Sequence, residues 1–301
     1  MSKLVTMKEA MGRLVHDGDT VAMEGFTHLI PFAAAHELMR QRRRSLTLVR
    51  LTPDLIFDQM VAAGCARKLI FSWAGNPGVG PLHAVRRALE QQQPAALKFE
   101  EYSHFGLALR FQAAAANLPF LPTRNFAGSD LVRVNPNIKP VTCPHTGEEL
   151  WTVPALVPDV AILHAQRADD EGNTQVWGLV GVHKEVAFAA RRVVVIAEEI
   201  VSQDVIRRDP NRTLIPGFRV DAVVCEPFGA HPSYVQGYYD RDNEFYVRWD
   251  EISREPQTLA AYLDEWVYGV ADRQEYCRRA GDSIARLRGR PALCEPVNYG
   301  Y

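Results

Sequence analysis

The sequence predicts an α/β fold built on an open, mostly parallel sheet with helices on both faces. Three observations carry that reading. Short apolar runs alternate with amphipathic stretches of helical period along most of the 301 residues. The alternation has βαβ spacing, and parallel strands need crossovers of that length. The composition, 47% apolar and 23% charged, suits a chain that buries a large core.

Thr6 to Glu9 has the form of a capping box, opening a helix to about His16 with Ala10, Leu14 and Val15 on one side. Asp17-Gly18-Asp19 stops it, TVAME (20–24) is a short strand, and GFTHLIP leads out. Pro31 suits the first turn of a helix reaching about Gln41. SLTLVR (45–50) is the next strand, with a helix near 54–63. KLIFSW (68–73) is a strand, GNPGVGP (75–81) a loop and LHAVRRALEQQ (82–92) a helix. KFEEY (98–102) is a short strand, and FGLALRFQAAAA (105–116) is a helix ended by Leu118-Pro119. Residues 119–158 hold seven prolines and few periodic segments, so they read as an irregular excursion over the sheet. Alternation then returns. DVAILHA (159–165) and NTQVWG (173–178) are strands, VHKEVAFAARR (182–192) a helix, and RVVVIAEE (192–199) and VDAVVCEP (220–227) strands. HPSYVQGYYDRDNEFY (231–246) reads as a long aromatic loop. The region 256–288 reads as helical, through AAYLDEWVYG and EYCRRAGDSIARLR, and the tail as loosely held. Residues 1–301 are expected to form a single domain.

Several function classes are disfavoured. Net charge is −2, so no one-signed field points to nucleic acid or an anionic membrane. Arg42, Arg43 and Arg44 read as a solvated helix end. The five cysteines are scattered and never C-x-x-C, which suggests reduced thiols. Residues 1–20 carry no apolar h-region, and no run reaches the ~18 apolar residues of a membrane span. The expectation is a cytoplasmic protein without a membrane partner. There is no P-loop and no G-x-S-x-G elbow, and GNPGVG has the wrong glycine order for a dinucleotide fingerprint. HELMR (36–40) lacks a second zinc-binding histidine, and Cys143 and His145 lack a third ligand. No metal and no permanently bound cofactor are expected.

Ligands of open α/β sheets collect beyond the carboxyl ends of strands. Gly25-Phe26-Thr27 leaves the first strand, and Ser72 to Gly80 leaves the third. Gly25 is either a plain tight turn or a source of unhindered main-chain donors. Phe26 is either core or substrate wall. Asn76 offers an amide and Gly78 an N–H for an acid substrate. Ser103 is an N-cap candidate, and His104 beside it can face the cleft and hold a carboxylate. Glu198 and Glu199 end a buried strand, where neighbours point to opposite faces, so at most one reaches a given cleft. Each reads as a structural hydrogen-bonder or interface residue. His231 follows a strand end, with an interface role and a cleft role both open.

DGDTVAMEGFTHLIP (17–31) resembles the N-terminal signature of family I CoA-transferases. Gly25 and Phe26 match it, Glu24 replaces a glycine, and Ile30 stands where a glycine is common. The wider pattern resembles the A chains of the glutaconate CoA-transferase type. It runs through GFT (25–27), EEYSH (100–104), AAAANLPFLP (113–122), DVAILHAQRAD and EGN (159–173), IAEEI (196–200), RRDP and IPGFRVDAVV (207–224), and GAHPS (229–233). The resemblance implies the CoA-transferase-like (NagB/RpiA-like) version of the fold and a heteromeric enzyme. In it an acyl-CoA is attacked by a glutamate of the partner B subunit, and CoA passes as a glutamyl thioester to a second carboxylic acid. The B-type motif Ser-Glu-Asn-Gly is absent from this chain, so its catalytic residue set is expected to be empty. CoA is expected as substrate, and a small carboxylic or dicarboxylic acid as acceptor. The resemblance adds Gly128 and Ser129 to the substrate-binding candidates, and it makes Trp73 and Trp177 core or interface residues rather than CoA stackers. Pro77 stands where relatives carry a small hydroxyl residue, which implies an acid other than glutaconate. Related steroid-ring hydrolases carry a functional glutamate near 103–105, where this chain has Ser103, His104 and Phe105. The alternatives are a subunit of a CoA-dependent ring-cleaving hydrolase and a non-catalytic CoA-binding assembly module.

Overall fold

The computed structural model describes residues 2–289. The predicted loose tail lies outside them. Helix α1 (Met7–Leu14) begins at a closed capping box: Thr6 Oγ1 accepts from Glu9 N–H, and Glu9 returns a carboxylate to Thr6 N–H. Then follow β1 (Thr20–Glu24), α2 (Phe32–Arg40), β2 (Leu46–Val49), α3 (Leu55–Ala62), β3 (Ala66–Phe71), α4 (His83–Glu90), β4 (Lys98–Glu101) and α5 (His104–Ala115). The next stretch carries β5 (Phe120–Thr123), α6 (Leu131–Val134), β6 (Lys139–Thr142) and β7 (Glu149–Pro154). The chain continues through β8 (Val160–Ala168), β9 (Thr174–Gln175), α7 (His183–Ala189), β10 (Arg192–Ile200), α8 (Gln203–Arg208), β11 (Thr213–Ile215) and β12 (Ala222–Cys225). Four helices close it: α9 (Asn243–Arg254), α10 (Pro256–Leu263), α11 (Arg273–Ala280) and α12 (Asp282–Ala285).

Seven strands form a parallel sheet in the order β4-β3-β2-β1-β8-β10-β12. The short antiparallel β9 and β11 extend the end of β8. Both faces are covered, as a parallel sheet requires. Val21 and Met23 of β1, Ile162 of β8 and Ile196 of β10 enter one core, with α1 to α4, α9 and α10. The alternate residues Ala22, Leu163 and Val195 enter the other, with α5 and α7. Among the described residues, no helix is long and apolar enough to cross a membrane.

Two expectations need correction. Residues 119–158 are not an irregular excursion: β5, β7 and β6 form a separate antiparallel sheet with β7 in the middle. Pro122 and Pro140 lie in its two edge strands and Pro154 ends the central one, so the prolines remove few ladder bonds. Residues 243–246 are not loop but the first turn of α9. Asp242 caps that helix by accepting Phe245 N–H at 3.0 Å. Phe245, Tyr246, Trp249 and Ser253 lie on its buried face, a helical period hidden by the aromatic density.

The chain winds from β1 toward β4 and from β8 toward β12. The order therefore reverses between β1 and β8, and a crevice is expected beyond their carboxyl ends.

Candidate active-site rim

At that switch point β1 ends in Glu24, and the chain folds back through Gly25 to Ile30. A Cβ on Gly25 would lie 2.5 Å from the His28 carbonyl oxygen and 2.7 Å from that of Leu29, so only glycine fits. Thr27 and Leu29 hold φ of 63° and 56°, and a β-branched residue rarely takes that conformation. Such strain, about 1–3 kcal/mol per residue, persists only where the surroundings over-determine it. Here they do. His28 Nε2 donates to Leu179 O at 2.7 Å, and the ring stacks on Tyr234 at 4.9 Å. Leu29 N–H donates to Tyr234 O at 3.1 Å, and Ser233 Oγ donates to Thr27 O at 3.2 Å. Burial pulls the His28 pKa down to about 4 against the opposing Leu179 carbonyl, so the clamp is a neutral imidazole.

From inside, the buried Arg50 guanidinium donates to Gly25 O at 2.6 Å and reaches Asp54 at 3.4 Å. Glu24 accepts Leu51 N–H at 2.8 Å. Burial lifts its carboxyl to about 7 despite the pull of Arg50. Sequence reasoning missed His28, Arg50 and this role of Glu24. A signal existed: β1 and β2 pair with Ala22 opposite Val49, so Glu24 and Arg50 are charges leaving two adjacent buried strands at nearly one level.

Among the described residues, the N–H groups of Phe26, Thr27 and Gly78 have no hydrogen-bond partner. Unpaired main-chain donors on a strained loop are what a developing oxyanion needs. Phe26 meets His104 edge-on, with ring centroids 5.9 Å apart. Ser72 Oγ donates its hydrogen to Leu51 O, so the 2.8 Å contact between Ser72 Oγ and His104 Nδ1 requires Nδ1 to carry the proton. His104 Nε2 is then a bare acceptor in an exposed ring. Partial desolvation at the rim lowers its pKa, which favours this neutral form. In this tautomer Nε2 offers a lone pair that accepts O–H or N–H, and holding a carboxylate would require the ring to be protonated. Ser103 caps α5 by accepting Gly106 N–H at 3.0 Å, and it donates to Asn125. The structure thus brings together Gly25, Phe26, Thr27, Ser72, Ser103 and His104.

The other candidates lie apart from this group. Asn76 is buried and its amide donates inward to Tyr246 O at 2.7 Å, so it does not offer that amide to a ligand. Gly78, in contrast, is exposed. Gly128 is exposed and Ser129 Oγ accepts Leu131 N–H at 3.2 Å, a local turn contact. Glu198 is enclosed, accepting from His164 Nε2, Tyr239 OH and Phe228 N–H, each at 2.7 Å. Glu199 is exposed and accepts from Tyr238 OH at 2.8 Å. His231 is neither interface nor cleft. It is 2% exposed, bonded to Asp242 at 3.1 Å and Tyr276 OH at 3.0 Å, and burial pulls its pKa to about 4 against the pull of Asp242. Trp177 is half-buried beneath Arg167 and Arg212, whereas Trp73 is 45% exposed beside Ser72. Among the described residues, no group of three or more His, Cys, Asp or Glu can hold a metal ion.

A doubly covered parallel sheet with free main-chain donors at its switch point defines an α/β protein with a ligand site at that rim. The family model for coenzyme A transferase matches residues 4–226, and the chain belongs to that family. Within it, this is an A-type chain. It is 52% identical to the A chain of 3-oxoadipate CoA-transferase from Pseudomonas knackmussii, over 92% of this chain and 97% of the relative. It is 36% identical to the A chain of glutaconate CoA-transferase from Acidaminococcus fermentans, over 97% of each. The crystal structure of that glutaconate coenzyme A-transferase superposes with a TM-score of 0.91 and 34% identity over 99% of each chain. A crystallised variant of the decarboxylase AibA/AibB superposes with a TM-score of 0.75 and 32% identity, over 88% of this chain and all of that one.

Proposed function

We propose that this chain is the A half of a CoA-transferase that passes CoA from an acyl-CoA to a 3-oxo dicarboxylic acid, with the reactive glutamate on a B subunit. The observation that carries the reading is a site with donors and walls but no attacking group. Phe26 and Thr27 offer N–H groups, while the nearby carboxylate of Glu24 is buried and bonded, and Glu198 is enclosed by three donors. The class of acid follows the relative that is 52% identical, and Pro77 in place of a small hydroxyl residue favours an acid other than glutaconate.

In this reading the carboxylate of the B subunit's glutamate attacks the thioester carbonyl and expels CoA thiolate. The thiolate attacks the glutamyl carbonyl of the resulting anhydride, releasing the first acid and leaving a glutamyl-CoA thioester. The acceptor acid reverses both steps. The rim of this chain would hold each oxyanion with main-chain N–H groups. His104 Nε2 would accept a hydrogen bond from an enol O–H of a 3-oxo acid or from an amide N–H of the CoA arm. CoA is a substrate here, not a resident group.

The B subunit is proposed to cover the β3–β4 rim. Trp73, Phe99 and Phe105 are 45%, 55% and 56% exposed on the exit of β3, on the edge strand β4 and at the start of α5. Exposed aromatics on neighbouring elements around an edge strand fit a protein partner. A cytosolic setting is proposed from the free thiols Cys65, Cys143, Cys225 and Cys277.

Co-expression with the partner tests the proposal. CoA exchange between succinyl-CoA and 3-oxoadipate is expected only in the pair, with a borohydride-sensitive thioester on the B chain. A thioester on this chain would overturn it. So would release of free CoA by the pair without an acceptor acid.

A further inference from the structure

The carboxyl end of β12 opens into a second cleft of about 590 Å³. Five strand spacings separate β12 from β3, roughly 24 Å at about 4.8 Å each, so this cleft is remote from Ser72 and His104.

Two polar side chains on its wall keep hydrogen-bonding capacity unused, one at a buried nitrogen and one at an accessible carboxyl group. Arg273 is 2% exposed. It donates through Nε and Nη2 to Phe228 O at 3.0 and 2.7 Å and through Nη2 to His231 O at 2.6 Å, while Nη1 has no partner among the described residues. Glu226 is 9% exposed. Its main-chain N–H is bonded to Ala197 O at 2.8 Å, and its carboxyl group has no partner among the described residues. A buried donor left unmade, as Arg273 Nη1 is, costs about 1–3 kcal/mol, and native structures rarely keep one without a use.

The rim settles the sign of the complement. Lys8 and Arg273 bring positive charge, and Arg40 is paired with Glu37. Glu37 is committed to Arg40 Nε at 2.9 Å and Gln41 Nε2 at 2.8 Å. Asp272 is committed to Glu275 N–H at 2.8 Å as the cap of α11. Burial, with the neighbouring Asp272 carboxylate, raises the Glu226 carboxyl to about 7 against the attraction of Arg273, so it carries a proton to donate at mildly acid pH. Met7, Ala33 and Val224 add apolar wall. The cleft offers donors, the cationic side chains of Lys8 and Arg273, and an apolar side.

We propose that this cleft binds a small aliphatic carboxylate, one oxygen taking the spare Arg273 N–H and the other facing Glu226. The proposal is independent of the transfer reaction, and a ligand held here is not the acceptor acid.

Cys225 is exposed and lines the same cleft, so it reports occupancy locally. The test follows N-ethylmaleimide labelling of Cys225 by peptide mass spectrometry at about pH 6.5, with Cys143 beside the small sheet as internal reference. Succinate is the probe and chloride the ionic-strength control, in the full chain alone and with its B subunit. Succinate is expected to slow labelling at Cys225 saturably, and not at Cys143. Glu226→Leu should raise the half-protecting concentration about tenfold, near 1.4 kcal/mol, and Glu226→Gln, which keeps a donor, should raise it less. Glu226→Leu removes an unpaired buried acid, so thermal melting should stay unchanged or rise. Three results would overturn the proposal: no protection by succinate, equal protection in Glu226→Leu, or a Cys225 that reacts in the lone chain and is blocked by the B subunit without succinate. CoA exchange plays no part in the readout, so its failure and the failure of this proposal are separable.

Discussion

At the β10 end of the sheet, Glu198 accepts three hydrogen bonds and its side chain is 3% exposed. At the β3 end, Ser72 and His104 form one open pair beside a loop whose N–H groups lack partners. The first rim is closed by the segment from Glu226 onward, which lays Phe228 and Tyr239 over the strand end. The second has no such cover. Of the carboxylates that stand out in the sequence, Glu198 lies under the closed rim and Glu199 faces solvent, while the unpaired main-chain donors lie at the open one. A conspicuous charge at a buried strand end is therefore more informative about packing than about chemistry, because burial demands that it be satisfied.

The contrast breaks most visibly at Glu198. Glu198→Ala strands three buried donors and should destabilise the chain by about 3–5 kcal/mol, read as a fall in melting temperature. Glu199→Ala, at an exposed position, should change stability by no more than about 0.5 kcal/mol. Equal effects at the two positions would erase the distinction.

The second effect is on the loop between the rims. Gly25→Ala drives a methyl group into two carbonyl oxygens that cannot retreat. A loss of about 1–3 kcal/mol is expected, with CoA exchange falling further than stability alone explains. Normal exchange by a destabilised variant would show that the loop does not shape the site.

Acid sharpens the comparison further. His28 and His183 are held neutral by burial, each near pKa 4, opposed by the carbonyls of Leu179 and Val180. An unfolded histidine titrates near 6.5. Between these values the unfolded chain binds more protons, so this stability is complete above pH 6.5 and is lost as pH falls toward 4. His28→Gln should flatten that slope by up to about 1.4 kcal/mol per pH unit, measured by denaturant titration across the range. An unchanged slope would mean that His28 is not buried neutral.

The smallest expected change in stability lies at His104. His104→Phe should leave the melting temperature nearly unchanged and lower kcat/KM about tenfold, the worth of one hydrogen bond. In the parent, ¹⁵N spectra should report a proton on Nδ1. A proton on Nε2 would contradict the Nδ1–H bond to Ser72.

Much of this was legible beforehand. Alternation of period and the turns at Asp17 to Asp19 located the parallel strands, because a doubly buried strand must read as a continuous apolar run. The glycine after β1 was visible because few other residues allow such an approach. Residues 119–158 and α9 were misread because proline counts and aromatic density mask period when the prolines fall on edge strands and the aromatics on one helix face.

Local periodicity, caps and strand ends are written in the sequence, since they depend on residues a few positions apart. So is the absence of a Ser-Glu-Asn-Gly segment. Tertiary structure alone decided that His231 is core, that the Asn76 amide faces inward and that His104 presents a lone pair. Each depends on a neighbour far away in the chain: Asp242 and Tyr276, Tyr246, and Ser72 with Leu51. No local pattern encodes which distant carbonyl takes a proton, and that choice fixes the chemistry of the rim.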